Sequence, residues 1–298
     1  MQRILVTGGT GFIGKSVVPL LLKEKYKIVL LARNPAKAKK LFPKAIIVKG
    51  SILDKKALEK AMKGCEGVVH MAGLVEFDNI DDVYETNVIG TRNVVDAAKK
   101  AKIKRIVYAS SVSVHWPSAR PITEKHKPRP YSFYGLTKLL GEEEVLRSGI
   151  PSVSLRIAAV YGVGSRWFDM ILRSMAGGFP VINSGNYNHL VHASDVAHAV
   201  LLALKKGKGP YIIADEQPVR LREFMEALAA YMGKRPVYIP VWFARMMATA
   251  IGKRHLLEIG ISNRVYNIGK AKRELGYRPR ADLSGELLLM SRKFNRKR

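Results

Sequence analysis

The stretch "TGGTGFIG", residues 7–14, follows directly on the apolar run Ile4-Leu5-Val6. It sets Gly8, Gly11 and Gly14 at intervals of three. Glycine loses more backbone freedom on folding than any other residue, so an ordinary helix or strand is weakened by it. A turn that leaves a strand, passes close to an anion and enters a helix needs it. Gly8 then permits the tight turn, Gly11 lets the backbone approach a pyrophosphate, and Gly14 brings helix and sheet together. The free N–H groups at the helix start, around Phe12 and Ile13, hold the anion. Strand, glycine turn and helix in that order predict dinucleotide binding; the bland reading is a tight turn and nothing more.

Outward from this point the chain alternates. Apolar, β-branched runs stand at 3–7, 27–32, 45–49, 67–70, 105–110 and 152–156. Helical spacing stands between them, at 14–23, 36–41, 55–62, 82–100 and 134–147. Such alternation predicts an α/β fold, a doubly wound parallel sheet of Rossmann type with both faces covered. After residue 161 the pattern loosens, and Gly, Asn and Ser become frequent over 162–188. Helices are read at 194–204, 221–232 and 241–251, and a strand at 211–214. "YNIGKAKRELGYRP", residues 266–279, reads as a short strand turning into a helix. A dinucleotide-binding domain over 1–161 is expected, with a smaller, discontinuous C-terminal substrate cap over 162–298. Residues 190–214 are expected to pack back on the nucleotide domain.

The 298 residues suffice for a substantial core, and 47% of them are hydrophobic. No apolar run approaches the roughly 18 residues of a membrane span. Arg245 breaks the longest candidate, at 241–251. With no charged-then-apolar leader, the chain reads as soluble and cytoplasmic. A single cysteine, Cys65, excludes an intrachain disulfide framework and reads as a small buried hydrophobe. The seven histidines are scattered, and His189 and His192 lack clustered Cys or acidic partners at ligand spacing, so no metal site is expected.

The net charge of +27 is the unusual feature. It favours anions of every kind: nucleotides, nucleic acid or an acidic membrane face. Its bland reading is a lysine-solvated surface, and the presence of only two glutamines, Gln2 and Gln217, fits thermophile usage. No nucleic-acid reader motif accompanies it, so no nucleic-acid partner is expected.

Several further segments fall in a recognisable order. They are "VVHMAG" (68–73), "NVIGTRNVVDAA" (87–98), "VYASSVSV" (107–114), "YGLTK" (134–138), "LRIAAVYG" (155–162) and "LVHASDVAHAV" (190–200). With the glycine turn they resemble the extended short-chain dehydrogenase/reductases. That family includes sugar-nucleotide epimerases and dehydratases, dihydroflavonol reductases and 3β-hydroxysteroid dehydrogenases. The resemblance covers nearly the whole chain. It implies that Met71, Ala72 and Gly73 border the cofactor and that Asn87 supports the active-site backbone or a proton relay. Asn87 also has a plainer reading, a helix-end side chain bonding its own backbone. The resemblance further implies a homodimer through the helices at 83–99 and 134–147.

Tyr134 and Lys138 stand four apart on one helix face. An adjacent ammonium favours a phenolate, which suits Tyr134 to act as general acid/base on a hydroxyl or carbonyl. Alone, such a pair is an ordinary helix-surface pair; within this order of motifs it is the expected catalytic pair. Ser111, aligned on the family pattern, orients the substrate oxygen, Ser110 bonds locally, and Ser113 is a third candidate. The expected reaction is hydride transfer between nicotinamide and a secondary alcohol or ketone carbon.

Three departures bear on cofactor and substrate. The second strand ends Ala32-Arg33, without the acid that binds a ribose 2′-hydroxyl, so Arg33 favours NADP over NAD. "GSILD" (50–54) carries Ser51 where the family often has Asp, leaving adenine to Ser51 and the Ile52 backbone. "LRIAAV" lacks the Asn that many sugar-nucleotide enzymes carry after the arginine. A small-molecule substrate is expected, with His115, Trp116, Arg166, Trp167 and His189 as candidate contacts. "WFARMM" (242–247) reads either as core or as the lining of a hydrophobic pocket. A sugar-nucleotide epimerase or dehydratase remains the alternative reaction. A non-catalytic nucleotide-binding sensor is the reading from another class.

Overall fold

A computed structural model describes residues 2–75, 79–178 and 180–295. Five strands lead the chain: β1 (Arg3–Thr7), β2 (Lys27–Ala32), β3 (Ile46–Lys49), β4 (Gly67–His70) and β5 (Arg105–Ser111). With strands Ser152–Ile157 and Gly209–Ile213 they form one seven-stranded parallel sheet. Its order is Gly209–Ile213, Ser152–Ile157, β5, β4, β1, β2, β3. The winding reverses between β1 and β4, and ligands of such sheets lie at the carboxyl ends of the strands at that switch.

Helices α1 (Gly14–Lys23), α2 (Pro35–Leu41), α3 (Lys55–Met62), α4 (Ile80–Tyr84), α5 (Gly90–Lys100) and α6 (Phe133–Leu146) connect the strands. On one face of the sheet, Val17, Val18 and Leu21 of α1 pack with Val196, Ala199, Val200 and Ala203 of α8 (Ala193–Lys205). On the other, Leu58 and Met62 of α3 pack with Val94 and Ala98 of α5 and with Tyr108. Except for the edge strand β3, whose residues are exposed or half-buried, the strands of the first half are buried on both sides, which is why they read as continuous apolar runs. Cys65 is buried, its thiol donating to the Ala61 carbonyl.

The expected helix over 82–100 is interrupted. After α4, residues Glu85–Ile89 form a π-turn, and α5 begins only at Gly90. Single π-turns of this kind concentrate at functional sites, and this one carries Asn87.

A second layer is built around α7 (Arg166–Ala176), α9 (Leu221–Tyr231) and α12 (Leu283–Asn295). Phe168, Leu172, Phe224, Leu228, Leu287 and Met290 form its core. Spacing arguments left 162–188 irregular and gave no helix after 279; α7 and α12 correct both. Helices α10 (Val241–Ala250) and α11 (Arg254–Gly260) lie against each other. A four-stranded sheet joins Val219–Arg220, Tyr187–Asn188, Arg264–Tyr266 and Ser118–Ile122. The last strand comes from between β5 and α6, so the first half of the chain also contributes to this layer. Beyond Arg264–Tyr266, residues Ala271–Leu275 form a π-turn rather than a longer helix, closed by Gly276 at φ 72°.

Candidate active site

The glycine turn lies where β1 ends. Gly8 has φ 71°, and a methyl group there would meet the Ala72 nitrogen and the Met71 carbonyl carbon at 2.6 Å. Only glycine lets the two loops touch. Gly14 differs from expectation: a methyl group on it would strike the Gly9 carbonyl oxygen at 2.3 Å, so it closes the turn on itself. The close approach to the sheet belongs to Gly9, whose added methyl would lie 2.6 Å from the Leu30 side chain on β2.

The contact continues inward. A methyl group on Gly73 would lie 3.0 Å from Asn87 Oδ1 and 3.8 Å from Lys138 Nζ. The glycine turn, the 71–73 loop and the Tyr134/Lys138 helix are thus joined by consecutive contacts along one edge of the sheet. Ser132 caps α6 by accepting from the Gly135 N–H, which fixes Tyr134 in the first turn. Gly135 and Gly141 let this helix lie close. A methyl group would strike the Ser113 carbonyl oxygen at 2.3 Å from the first and the Tyr108 hydroxyl at 2.5 Å from the second. Neither glycine was singled out from sequence, although glycines inside a helix, costing about 1 kcal/mol each relative to Ala, call for such a reason.

Lys138 is buried, one helical turn beyond Tyr134. Its ammonium sits 4.2 Å from the centroid of the Tyr108 ring, a favourable cation–π position. Burial pulls its pKa down to about 7, against the opposing pull of Glu142 one turn further on. The lysine can therefore change charge near neutrality, which suits a group that tunes an adjacent phenol. Ser111, the last residue of β5, accepts from the Ser113 N–H at 3.1 Å, leaving its own proton to donate. Ser113 is within 3.2 Å of the Tyr131 hydroxyl. Ser110 was expected to bond locally. Its buried hydroxyl instead has no hydrogen-bond partner among the described residues, on the same strand face as Tyr108.

Asn87 is a positioning residue. Its Oδ1 accepts from the Leu74 N–H at 2.9 Å. Its Nδ2 donates to the Leu74 carbonyl at 3.0 Å and to Thr137 Oγ1 at 3.1 Å. Both amide hydrogens are thereby used, and none of these bonds is to its own backbone. The Asn87 carbonyl accepts from Thr91 Oγ1 at 2.7 Å. Thr91 must then accept from His70 Nε2, 2.9 Å away, so His70 Nδ1 accepts from Thr7 Oγ1 at 2.7 Å. Thr7 in turn accepts from the Ala72 N–H at 3.3 Å. One buried directional chain runs from the end of β1 to the π-turn and fixes His70 as the neutral Nε2–H tautomer. Of its side chains, only that of Asn87 was expected at the site; Ala72, whose N–H closes the chain, was expected beside the cofactor.

A second buried cluster backs α6. Glu142 accepts from Arg156 Nε at 3.1 Å and from Ser154 Oγ at 2.7 Å. Arg156 Nη1 donates to His115 Nε2 at 2.9 Å. All four residues are buried. His115 is therefore a structural acceptor rather than a substrate contact. His189 is another correction. Its Nε2 donates to the Asp215 carbonyl at 3.0 Å, and its Nδ1 accepts from the Tyr266 N–H at 3.1 Å, so both nitrogens hold backbone. Trp116 is exposed, with the Arg129 guanidinium 5.2 Å over its ring. Trp167 packs edge-on against Phe168 at 4.8 Å in the second layer, and Arg166 begins α7.

Toward the far end of the crevice, Arg33 follows β2 and is exposed, with no ion pair among the described residues. Ser51 Oγ accepts from the Leu53 N–H, and the Ile52 carbonyl accepts from Asn93. Asp54 is the N-cap of α3. The cap layer holds an apolar cavity of about 470 Å³, lined by Ile171, Met175, Val181, Ile182, Met225 and Leu257 among others. Among the described residues no cluster of His, Cys, Asp or Glu could hold a metal ion.

The buried histidines predict an acid response. Burial lowers the pKa of His70 to about 3 and those of His115 and His189 to about 4, from an ordinary 6.5. Lys138 reinforces the first shift and Arg156 the second. Between the folded and unfolded values the unfolded chain binds protons that the folded chain refuses. Stability from this source is therefore full above about pH 6.5 and drains as pH falls toward 4 and then 3. Unfolding near pH 5 is expected to take up about three protons through these residues. Comparing denaturation midpoints from pH 7 to pH 4 measures this, and a flat response would contradict it.

The profile of the NAD-dependent epimerase/dehydratase family matches residues 4–214, a span that includes the glycine turn, the 71–73 loop and the Tyr134/Lys138 pair. The chain belongs to that family. It is an NAD(P)-dependent enzyme with a Rossmann sheet. A putative UDP-glucose 4-epimerase of Methanocaldococcus jannaschii is 35% identical, covering 67% of this chain and 73% of its own length. A 4-hydroxy-2-methyl-3-oxo-4-farnesyl-3,4-dihydroquinoline-1-oxide ketoreductase of Stigmatella aurantiaca is 28% identical, covering 93% of this chain and 92% of its own. The crystal structure of Thermotoga maritima UDP-glucose 4-epimerase with UDP-glucose superposes with a TM-score of 0.82. It is 25% identical and covers 99% of each chain. Relatives named for both reaction types thus match this chain over most of its length. Among the described residues, no helix is long and apolar enough to cross a membrane.

Proposed function

We propose that this family member is an NADP-preferring oxidoreductase acting on a secondary alcohol or ketone of lipophilic character. The observation that carries the reading is the close approach of Gly8 to the 71–73 loop and of Gly73 to the buried Lys138, one helical turn beyond Tyr134. The glycine turn and the N–H groups that open α1 would hold the pyrophosphate of a dinucleotide, and the 71–73 loop and Lys138 would border its nicotinamide half. Lys138 then meets the nicotinamide ribose and tunes Tyr134. Tyr134 transfers the proton to or from the substrate oxygen, and Ser111 donates a hydrogen bond to that oxygen. The cofactor supplies the hydride.

One feature favours a lipophilic substrate: the Ala158-Ala159-Val160 run in place of a polar sugar-nucleotide contact. The farnesylated substrate in the ketoreductase's name is consistent with it. Sugar-nucleotide epimerisation is the second reading, favoured by the full-length likeness to the Thermotoga enzyme. Incubating the protein with NADPH and a panel of lipophilic ketones, and separately with UDP-glucose, tests the two. Net NADPH oxidation supports the first; sugar interconversion without net cofactor change replaces it with the second.

Cofactor choice rests on Arg33. An exposed guanidinium after β2, with no neighbouring carboxylate to repel a phosphate, suits the NADP 2′-phosphate. Arg33→Ala is expected to weaken NADPH binding by roughly tenfold or more and leave NADH within about twofold. Fluorescence titration with each cofactor measures this, and equal losses for both would remove the argument. A homodimer through the α4–α5 and α6 surfaces is part of the proposal, to be tested by light scattering.

A further inference from the structure

Helix α10 is built inside out. Ala244 is its one fully buried residue, with Val241, Phe243 and Ala248 half-buried. Its large apolar side chains face solvent: Trp242 is 67% exposed, Met246 54% and Met247 50%. Ile251, just past the helix end, is 63% exposed, and Val237, in the approach to it, is 61% exposed. At 3.6 residues per turn the pairs 242/246 and 247/251 form two rows roughly 140° apart around the helix, with the half-buried Phe243 between them. Neither sequence reading of "WFARMM", as core or as pocket lining, fits these exposures. Single exposed apolar residues are ordinary on a soluble protein, but a cluster led by tryptophan marks a contact surface.

The surroundings are cationic. Between residues 231 and 260 the chain carries Lys234, Arg235, Arg245, Lys253 and Arg254 against one acid, Glu258. That acid is already engaged by Arg245, at 2.8 and 3.1 Å, and by Arg254 at 3.8 Å. Lys234, Arg235, Lys253 and Arg254 are all exposed.

We propose that this face docks peripherally on an anionic lipid bilayer. An apolar centre with a basic surround is the chemistry of an interfacial helix: tryptophan and methionine enter the headgroup–acyl boundary while Lys and Arg meet the anionic headgroups. A second copy of this chain is a poor occupant. On this face it brings the same basic surround, Lys234, Arg235, Lys253 and Arg254, so like charges would meet across the contact. Nucleic acid would engage the cations but leave the exposed Trp, Met and Ile without a role. Docking of this kind requires no spanning helix and does not depend on which reaction the active site performs.

Flotation of the full-length protein with vesicles tests the proposal. One set is phosphatidylcholine alone, and the other is three parts phosphatidylcholine to one part phosphatidylglycerol. The protein is expected to float with the anionic set at low salt and only weakly with the neutral set. Trp242→Ser combined with Met246→Ser is expected to lower vesicle affinity by roughly tenfold or more, with an unchanged thermal midpoint as evidence of folding. Brominated acyl chains are expected to quench tryptophan emission in the wild type. The conservative variant Trp242→Phe should lose most of that quenching while still floating. Failure to bind anionic vesicles would overturn the proposal. So would binding indifferent to the double substitution, which would mean charge attraction alone. Loss of a dimer in the double variant would assign the face to self-association. Loss of DNA retention in that variant would assign it to nucleic acid. Either result replaces the bilayer.

Discussion

Tyr134→Phe is expected to lower turnover by about three orders of magnitude while leaving NADPH affinity within about twofold. The substitution removes one oxygen from the first turn of α6. It leaves the ring, the Ser132 cap and the buried Lys138 one turn further on. The backbone of residue 134 also retains its role, since Thr137 Oγ1 donates to the Tyr134 carbonyl at 2.9 Å. A positioned proton donor contributes a factor of about a hundred to ten thousand, so its loss falls on the chemical step rather than on binding. Stopped-flow single turnover together with cofactor titration separates the two. Normal turnover would remove Tyr134 from the chemistry. A parallel loss of cofactor affinity would make it a structural residue.

The largest expected effect on stability lies behind the site. Glu142→Ala should destabilise the fold by about 3–5 kcal/mol, the usual consequence of stranding one member of a buried ion pair. Arg156 would keep only its bond to His115, and Ser154 would lose its acceptor. The double variant Glu142→Leu with Arg156→Met removes both charges and is expected to recover most of the loss, because two buried charges need each other more than the fold needs either. Urea denaturation of the two variants and the wild type measures this. A single variant as stable as the wild type would show that the pair contributes little. Tyr134, Lys138 and Glu142 recur at intervals of four along α6, so the same helix face carries the proposed acid, the lysine that tunes it and the carboxylate that anchors it.

How much of this could be read from the chain alone differs by element. The sheet was legible almost strand by strand, because a strand buried on both faces must be apolar throughout. The glycine turn was legible because only glycine satisfies its geometry. Tyr134, Lys138 and Ser111 were nameable as candidates from an ordered set of motifs. Thr7, His70, Thr91 and Thr137 were not. Each is an unremarkable polar residue in sequence, and the hydrogen-bond chain joins positions 7, 70, 91 and 87, which meet only through the sheet. His115 and His189 were misread for the same reason. A histidine aimed at a substrate and one that holds buried backbone have the same spelling.

The sequence by itself determined the parallel sheet, the dinucleotide turn and the identity of the proposed acid/base helix, since local periodicity and steric demands on single residues suffice for these. Only the tertiary structure decided which polar groups pair in the interior, that Asn87 rides on a π-turn, and that α10 turns Trp242 to solvent. Those outcomes depend on which distant segments compete for the same space and the same hydrogen bonds, and no window of neighbouring residues contains that information.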